Sequence, residues 1–331
     1  MEKKGAFIPV LNVSGENIPE AWEKAYLTLH EKGLYHKRDD SKEDGNPNLD
    51  SAMTIEIRNP DADPFGHRAG GSTANEDSLM DYLYEMMGAK PAHLWIKDFS
   101  DPKDMRWEYN YFASLSQWGE FLPKEQSQGS INQLDTIVEK LAKNPSTRKA
   151  QAITWDPRRD LSASHTPCLQ RIHPLIVTDA EGNPSFDMQY TFRSRNVADA
   201  SFGNILGLYV LGCDIRDKLE KRLGVTMPMR MVDKIDSFHV NGRTIKRYNQ
   251  NVEMFKKRVE NGEWKELGDR TYTREEIVEG LKYYRSLVEG KILEQTKKRF
   301  KGTDDEFDAE RQRVQNIGDR IFYLLEKYAP Q

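Results

Sequence analysis

Two cysteines are the only thiols in this chain of 331 residues, and they stand in different contexts. Cys168 follows a proline in the segment SHTPCLQRIH, where an apolar strand is predicted to begin. Cys213 lies on the apolar face of a predicted helix and is best explained as a core residue. For Cys168 two interpretations remain open. It is either a small buried hydrophobe, the commoner fate of a free cysteine, or a nucleophile, which requires a thiolate and nearby positive charge.

Two basic segments elsewhere in the chain could supply the positive charge that such a nucleophile needs. Arg193 and Ser194 end the alternating strand FDMQYTFR. A guanidinium beside a hydroxyl can hold a phosphate, because its fork of donors matches the phosphate oxygens. Taken alone, an arginine at a strand end is more often a surface cation. Arg148 and Lys149 form a second basic pair in NPSTRKAQAITW, between a predicted helix and a predicted strand.

The composition excludes several classes of protein. With 49 basic and 53 acidic residues the formal net charge is −4, which argues against a dedicated nucleic-acid binder. Two cysteines exclude a disulfide scaffold and a four-cysteine zinc site, and we expect no metal. No apolar run approaches the roughly 20 residues that span a bilayer, and the first residues lack the apolar stretch of a secretory signal. We therefore expect a cytoplasmic protein without a membrane partner.

The hydrophobic pattern predicts a single α+β domain over residues 1–331, with a core at about 52–243. The region 244–331 is helical and highly charged, which indicates a solvated helical cover. The predicted helices cover 19–33, 76–88, 130–143 and about 202–222. The predicted strands cover 52–58, 150–155, 169–177, 186–193 and about 229–240.

Four motifs, in this order, resemble the superfamily of thymidylate synthases and pyrimidine nucleotide hydroxymethylases. They are GSINQLDTIVEKLAKNPSTRKAQAITW, TPCLQ, FDMQYTFRSRNVADASFGN and SFHVN. The matching run covers roughly 128–245, with fainter similarity at 76–115. The segments RKAQAITWDP and TPCLQ are most similar to archaeal-type synthases and cytidylate hydroxymethylases. The resemblance implies a large mixed β-sheet flanked by helices, and a homodimer that forms sheet to sheet.

The resemblance also implies a mechanism. A thiolate that adds at C6 of a pyrimidine makes C5 nucleophilic enough to attack 5,10-methylenetetrahydrofolate. Capture by water then gives a 5-hydroxymethyl product, and hydride from the folate gives a 5-methyl product. On this interpretation Cys168 is the nucleophile and Tyr111 lies near it. The family's general acid/base carboxylate falls on Asp81 in an ungapped alignment, with Glu76 as the rival.

The other residues implied by the resemblance bind the nucleotide 5′-monophosphate. The Asn204 carboxamide reads the base; it suits uracil, and when flipped it also suits cytosine. The remaining substrate-binding residues are Arg148, Lys149, Gln189, Arg193, Ser194, His239 and Asn241. Of these, the basic pair is expected to reach across the dimer to the partner's phosphate.

Several positions depart from the family pattern. Lys149 replaces an arginine, Leu169 follows the cysteine where common thymidylate synthases have histidine, and the closing segment FYLLEKYAPQ lacks their apolar tail. Asn196 stands where the family has an aspartate that contacts the folate, so this cofactor contact is in question. Asn241 stands at the sugar-binding tyrosine, and its smaller side chain leaves room for a ribose 2′-hydroxyl.

These departures favour hydroxymethylation of CMP or dCMP over ordinary thymidylate synthesis. Asn204 opposes this preference, because the phage deoxycytidylate enzymes carry aspartate there. Methylation or hydroxymethylation of dUMP or UMP is therefore the alternative. A third hypothesis, a non-catalytic nucleotide-binding or RNA-binding relative, is opposed by Cys168 and by the acidic net charge. The region 244–331 has no assigned role, with the folate side of the site as one candidate position.

Overall fold

The structure, a computed structural model, describes residues 6–37, 46–70, 76–97, 101, 103–120 and 129–330. Within these ranges an eight-stranded mixed sheet forms the centre of the protein. The order along it is β1 (Val10–Gly15), β3 (Asn48–Ile57), β9 (Met229–Val240), β7 (Pro184–Phe192), β6 (Leu169–Thr178) and β5 (Ala152–Ile153); β2 (Leu34–His36) pairs with β3, and β8 (Arg195–Asn196) pairs with β9. The β1–β3, β7–β9 and β8–β9 pairs are parallel, and the others are antiparallel.

Helices cover this sheet, and a small sheet joins two distant loops. The small sheet pairs β4 (Gly66–His67) with β10 (Thr271–Tyr272). The helices are α1 (Ile18–Lys32), α2 (Glu76–Met86), α3 (Ala92–Trp95), α4 (Tyr111–Ser116), α5 (Gln133–Lys143), α6 (Pro157–Asp160), α7 (Ser201–Leu223), α8 (Ile245–Glu260), α9 (Arg274–Arg299) and α10 (Asp304–Lys327).

Helix α7 is buried along most of its length and packs behind the sheet. The Tyr190 hydroxyl of β7 donates to the Leu208 carbonyl at 2.7 Å. Helices α2 and α7 approach closely at Gly207, where an added Cβ would lie 2.6 Å from the Tyr82 ring. The two faces of β7 differ accordingly. Even-numbered residues from Phe186 face the apolar core, and odd-numbered residues face outward with polar side chains.

The C-terminal helices pack on α2 and α7. Capping boxes begin α9 at Thr273 and α10 at Thr303, which explains why two charged segments form well-defined helices. The Asp217 carboxylate on α7 accepts hydrogen bonds from Lys221, and from Arg320 and Lys327 of α10. Burial opposes its charge, but these cations outweigh burial and hold the pKa of Asp217 well below its usual range.

The predicted α+β class and large mixed sheet are confirmed, and the bounds of β9 match the prediction. Strand β1 was not predicted, because its segment VLNVSG is a half-exposed edge strand with a weak apolar alternation. Strand β3 begins at Asn48, four residues before the predicted start. In the described part of the chain, no helix is long and apolar enough to cross a membrane.

Candidate active site

A cavity of about 1010 Å³ opens beside the sheet where β6 begins and β7 ends. It brings together residues that the sequence analysis took from separate motifs. The predicted site residues that line it are Tyr111, Cys168, Arg193, Ser194, Asn196, Asn204, His239 and Asn241.

The nucleophile candidate Cys168 is half-buried at the position just before β6. Its carbonyl accepts the Arg193 backbone N–H at 2.9 Å. The Arg193 guanidinium donates through Nε to the Pro167 carbonyl (3.0 Å) and through Nη2 to the Thr166 carbonyl (2.8 Å). The arginine predicted to hold phosphate is therefore also bonded to the loop that carries the thiol.

Two tyrosines adjoin the thiol. The Tyr109 hydroxyl hydrogen-bonds both Cys168 and Tyr111; burial, with a further contribution from the thiolate charge, raises its pKa to about 12. Burial also raises the pKa of Tyr111, whose oxygen accepts the Leu169 backbone N–H. Both phenols therefore keep their protons at neutral pH and can donate towards a charged sulfur. Tyr109 was missed by the sequence analysis, although the spacing in WEYNYF places two tyrosines on one side of an extended segment.

The acid/base prediction for Asp81 has a rival in the neighbouring residue Glu85. Glu85, one turn later on α2, lines the cavity that contains Cys168, and Asp81 does not. Burial raises the pKa of Glu85, and the ammonium group of Lys90 acts in the opposite direction. Lys90 Nζ lies 3.2 Å from Glu85 Oε2 and 2.8 Å from Asp81 Oδ2.

Asp81 instead lines a smaller cavity of about 310 Å³ between α2 and α9. Val288 and Ile292 of α9 form part of its wall. The rival residue Glu76 also faces α9, because an added Cβ at Gly280 would lie 2.5 Å from Glu76 Oε1. Asp81 and Glu85 differ by one helical turn, and the boundary between the two cavities falls between them.

The base-reading candidate Asn204 lies in the first turns of α7 and is 9% exposed. Its Nδ2 donates to the Tyr82 hydroxyl at 2.7 Å. At the sugar end, His239 Nδ1 lies 3.4 Å from the Ser194 hydroxyl. The Asn241 carboxamide oxygen accepts from the Thr244 N–H and hydroxyl, so this side chain also supports the turn before α8.

Three predicted substrate-binding residues do not line this cavity. Gln189 lies on the outer face of β7, where it donates to Asp187 and accepts from Lys234, both at 3.0 Å. The alternation of the strand explains this correction, since an odd-numbered residue of β7 points away from the core. Arg148 and Lys149 are exposed on the loop before β5. Their role at a partner's phosphate remains a prediction.

The folate-contact candidate Asn196 is engaged within its own loop. Its Nδ2 donates to Asp199 at 2.9 Å, and its Oδ1 accepts the Ala198 N–H at 3.0 Å. Asp199 is in turn paired with Arg247. The region 244–331, for which the folate side is one candidate position, contributes no residue to the described lining of the larger cavity.

Arg195 is a site residue that the sequence analysis did not assign. It lines the cavity, is 2% exposed, and forms a buried ion pair with Asp233. Its guanidinium carbon lies 3.8 Å from the centre of the Phe192 ring. The sequence signal that could have identified Arg195 was its position directly after Arg193 and Ser194 in RSRN. Among the described residues, no group of three or more His, Cys, Asp or Glu side chains is placed to hold a metal ion.

No family model matches the chain. Several archaeal proteins are similar to it in sequence. A "Putative thymidylate synthase" of Methanosarcina barkeri is 28% identical over 163 residues, which cover 49% of this chain and 63% of that protein. One of Methanopyrus kandleri is 31% identical over 108 residues, covering 33% and 45%. One of Methanosarcina mazei is 25% identical over 217 residues, covering 64% and 83%. The matches thus span less than two thirds of the first two relatives.

Among solved structures, the chain is similar to thermostable thymidylate synthase A from Bacillus subtilis, with a TM-score of 0.49 and 15% identity. That similarity covers 72% of this chain and 84% of the synthase. The archaeal similarities include a relative matched over 83% of its length. They support the resemblance of the chain to the thymidylate synthase-like superfamily.

Proposed function

We propose that this protein transfers a one-carbon unit from 5,10-methylenetetrahydrofolate to C5 of a pyrimidine nucleoside 5′-monophosphate. CMP or dCMP is the leading substrate, with a 5-hydroxymethyl product. The observation that carries the proposal is that one cavity unites a thiol, three phenols, and several guanidinium and carboxamide groups from separate parts of the chain. Concave sites with a few convergent polar groups are typical of ligand binding.

Arg193 and Ser194 support the phosphate end of the proposal. A phosphate held by the guanidinium and the hydroxyl would bring its negative charge close to the loop of Cys168, because Arg193 is bonded to the Thr166 and Pro167 carbonyls. Binding of the nucleotide and positioning of the loop that carries the nucleophile would therefore use one side chain.

The base would lie between Cys168 and Asn204. In the first step the sulfur forms a bond to C6, and the electrons of the C5–C6 double bond move towards C5 and the substituent at C4. Tyr109 would hold the thiolate in place by donating a hydrogen bond, and Tyr111 bonds Tyr109 in turn. Glu85 lines the cavity and is our candidate to accept the C5 proton; the sulfur leaves C6 last, after water has captured the one-carbon unit on C5.

The cavity also fits the second ligand. At about 1010 Å³ it lies at the upper end of the range for small-molecule sites, which leaves space beside a nucleotide. Met105 and Trp107 at its edge are 91% and 40% exposed, and they offer an apolar surface to a planar pterin. Bound methylenetetrahydrofolate supplies the electrophilic one-carbon unit.

Water capture is our preferred final step because of the positions that depart from the family. Asn196 bonds Asp199 and the Ala198 N–H, so it has fewer hydrogen-bonding positions left for the pterin than a free carboxylate would have. Asn241 is small and lines the cavity near His239, which supports acceptance of a ribose. Methylation or hydroxymethylation of dUMP or UMP is the second candidate, favoured by the amide at Asn204.

The direct test is incubation of the protein with methylenetetrahydrofolate and CMP, dCMP, UMP or dUMP, followed by product mass. A hydroxymethyl gain on a cytidylate, with no dihydrofolate formed, is the expected result. A methyl product accompanied by dihydrofolate would establish the second candidate. If no nucleotide is modified and none loses tritium from C5, the enzymatic proposal fails and the non-catalytic hypothesis gains support.

The proposal includes a homodimer in which Arg148 and Lys149 complete the partner's phosphate site. Both side chains are exposed and lie outside the larger cavity. Mixing Cys168→Ser protein with an Arg148→Ala, Lys149→Ala protein tests this arrangement, because a mixed dimer would contain one intact site. Restored activity is expected, and mixtures no more active than their separate components would contradict shared sites.

A further inference from the structure

We infer that Tyr82 determines which pyrimidine base the site accepts, by fixing the orientation of the Asn204 carboxamide. The inference rests on the proposed function, in which Asn204 meets the base. Tyr82 belongs to α2 and Asn204 to α7, and both line the cavity that contains Cys168. The tyrosine is thus part of the site without being one of the residues in the recognised motifs.

The contact between the two side chains has a direction. Asn204 Nδ2 donates to the Tyr82 hydroxyl oxygen at 2.7 Å. Because nitrogen and oxygen stand on opposite sides of a carboxamide, Oδ1 is turned away from the tyrosine. Cytosine presents an acceptor at N3 and a donor at its amino group, whereas uracil presents a donor at N3 and an acceptor at O4. An amide free to flip satisfies either base, and an amide held in one orientation satisfies one.

In the contact with Asn204 the Tyr82 hydroxyl is the acceptor. Glu85 lies one turn later on α2 and lines the same cavity. Lys90, at 3.2 Å from Glu85, favours the charged form of that carboxyl. Burial and the Glu85 charge also raise the pKa of Tyr82, so the phenol stays neutral at neutral pH.

Helix α7 makes space for the tyrosine ring. A Cβ added to Gly207 would lie 2.6 Å from Tyr82 Cε1 and 3.1 Å from Cδ1. Gly207 follows Asn204 by three residues, so both lie on the same side of the helix. The helix that carries the base-reading amide therefore also carries the glycine that admits its orienting partner. Any larger residue there would push the ring away from Asn204.

The test compares dissociation constants of CMP and UMP, measured by titration calorimetry without folate. In wild-type protein the two constants are expected to differ. In Tyr82→Phe the amide can flip, so the ratio between the constants should fall by about tenfold, the effect of about one hydrogen bond. Gly207→Ala should lower the ratio through displacement of the ring, with the hydroxyl retained.

Tyr84→Phe is the matched control, since it removes a hydroxyl from the same helix that bonds Glu289 at 2.5 Å. The ratio between the CMP and UMP dissociation constants of Tyr84→Phe should equal that of wild type. The inference is overturned if wild type binds both nucleotides equally, or if Tyr82→Phe weakens both to the same extent and keeps the ratio. Failure of the proposed function would be seen separately, as absence of tritium release from C5, and the inference holds for whichever base wild type prefers.

Discussion

Two cavities lie on either side of α2, and they contrast in chemistry. The larger contains Cys168 and polar groups of several kinds, including Glu85. The smaller contains Asp81 and is partly walled by apolar residues of α9. Trp107 lines both cavities, and Lys90 bonds a carboxylate of each. Two carboxylates one turn apart, bound to the same lysine, thus face different surroundings.

We expect the larger cavity to carry out catalysis and the smaller cavity to contribute to the stability of the fold. Changes in the larger cavity should alter turnover with little effect on folding. Changes in the smaller cavity should alter stability with little effect on turnover. Lys90 is the exception, because it is 5% exposed and bonded to both sides. Variants ordered from the strongest to the weakest effect on activity can test this division.

Cys168→Ser should give the largest effect. Loss of the nucleophile should lower tritium release from C5-tritiated nucleotide by about 1000-fold or more. The comparison is Cys213→Ser, which lies outside both described cavity linings and whose thiol pKa is raised to about 12 by burial. It should lose stability and keep tritium release. Equal activity of Cys168→Ser and wild type would refute the nucleophile assignment.

The two carboxylates form the next pair. Glu85→Gln should lower kcat by about 100-fold to 10,000-fold, the usual contribution of a general acid or base. Asp81→Asn should change kcat by less than about fivefold, because an exposed partner of Lys90 carries little interaction energy. Steady-state kinetics on both variants decide the matter. A larger loss in Asp81→Asn would reinstate the assignment from the ungapped alignment.

Lys90→Met should shift the pH dependence of activity. Burial raises the pKa of Glu85 and Lys90 lowers it, so removal of the ammonium group raises that pKa further. A base that must be ionised is lost as pH falls through its pKa, and the acid limb should therefore move upward by about one unit. Lys90→Arg should restore the limb. An unmoved limb in Lys90→Met would assign the lysine a purely structural role.

Ile292→Ala in the smaller cavity should give the smallest change in kcat, less than about twofold. The side chain is 1% exposed, so its truncation should lower the free energy of unfolding by about 2–5 kcal/mol. Urea denaturation measures this loss. A variant that folds stably but turns over slowly would show that α9 takes part in catalysis.

The sequence predicted much of the fold because its central elements have strong patterns. Strand β9 matches its predicted range, and α7 lies within one residue of its predicted ends. Eight site residues were also found in one cavity, because short motifs keep their spacing at the ends of rigid strands and helices. Strand β1 escaped prediction since its stability depends on pairing with β3, which no local pattern reports.

The site predictions that lie outside the larger cavity differ from its lining residues in the direction in which a helix or strand points their side chains. On α2 the positions of Asp81 and Glu85 are equally compatible with a helical repeat, and only packing against α9 separates them. Gln189 was taken together with Arg193 from one strand, but the strand turns its side chain to the outer face. Tyr82 and Tyr109 belong to no recognised motif and act through contacts between distant segments.

The central position of β9 in the sheet has a consequence for biosynthesis. This strand joins β3, at residues 48–57, to β7, at residues 184–192. During synthesis on the ribosome, the two halves of the sheet cannot be joined until residue 240 has emerged. The edges of β3 and β7 that pair with β9 therefore stay unpaired for much of translation. The cavity, whose lining includes His239 and Asn241 at the end of this strand, is expected to form only after the chain has lengthened past it.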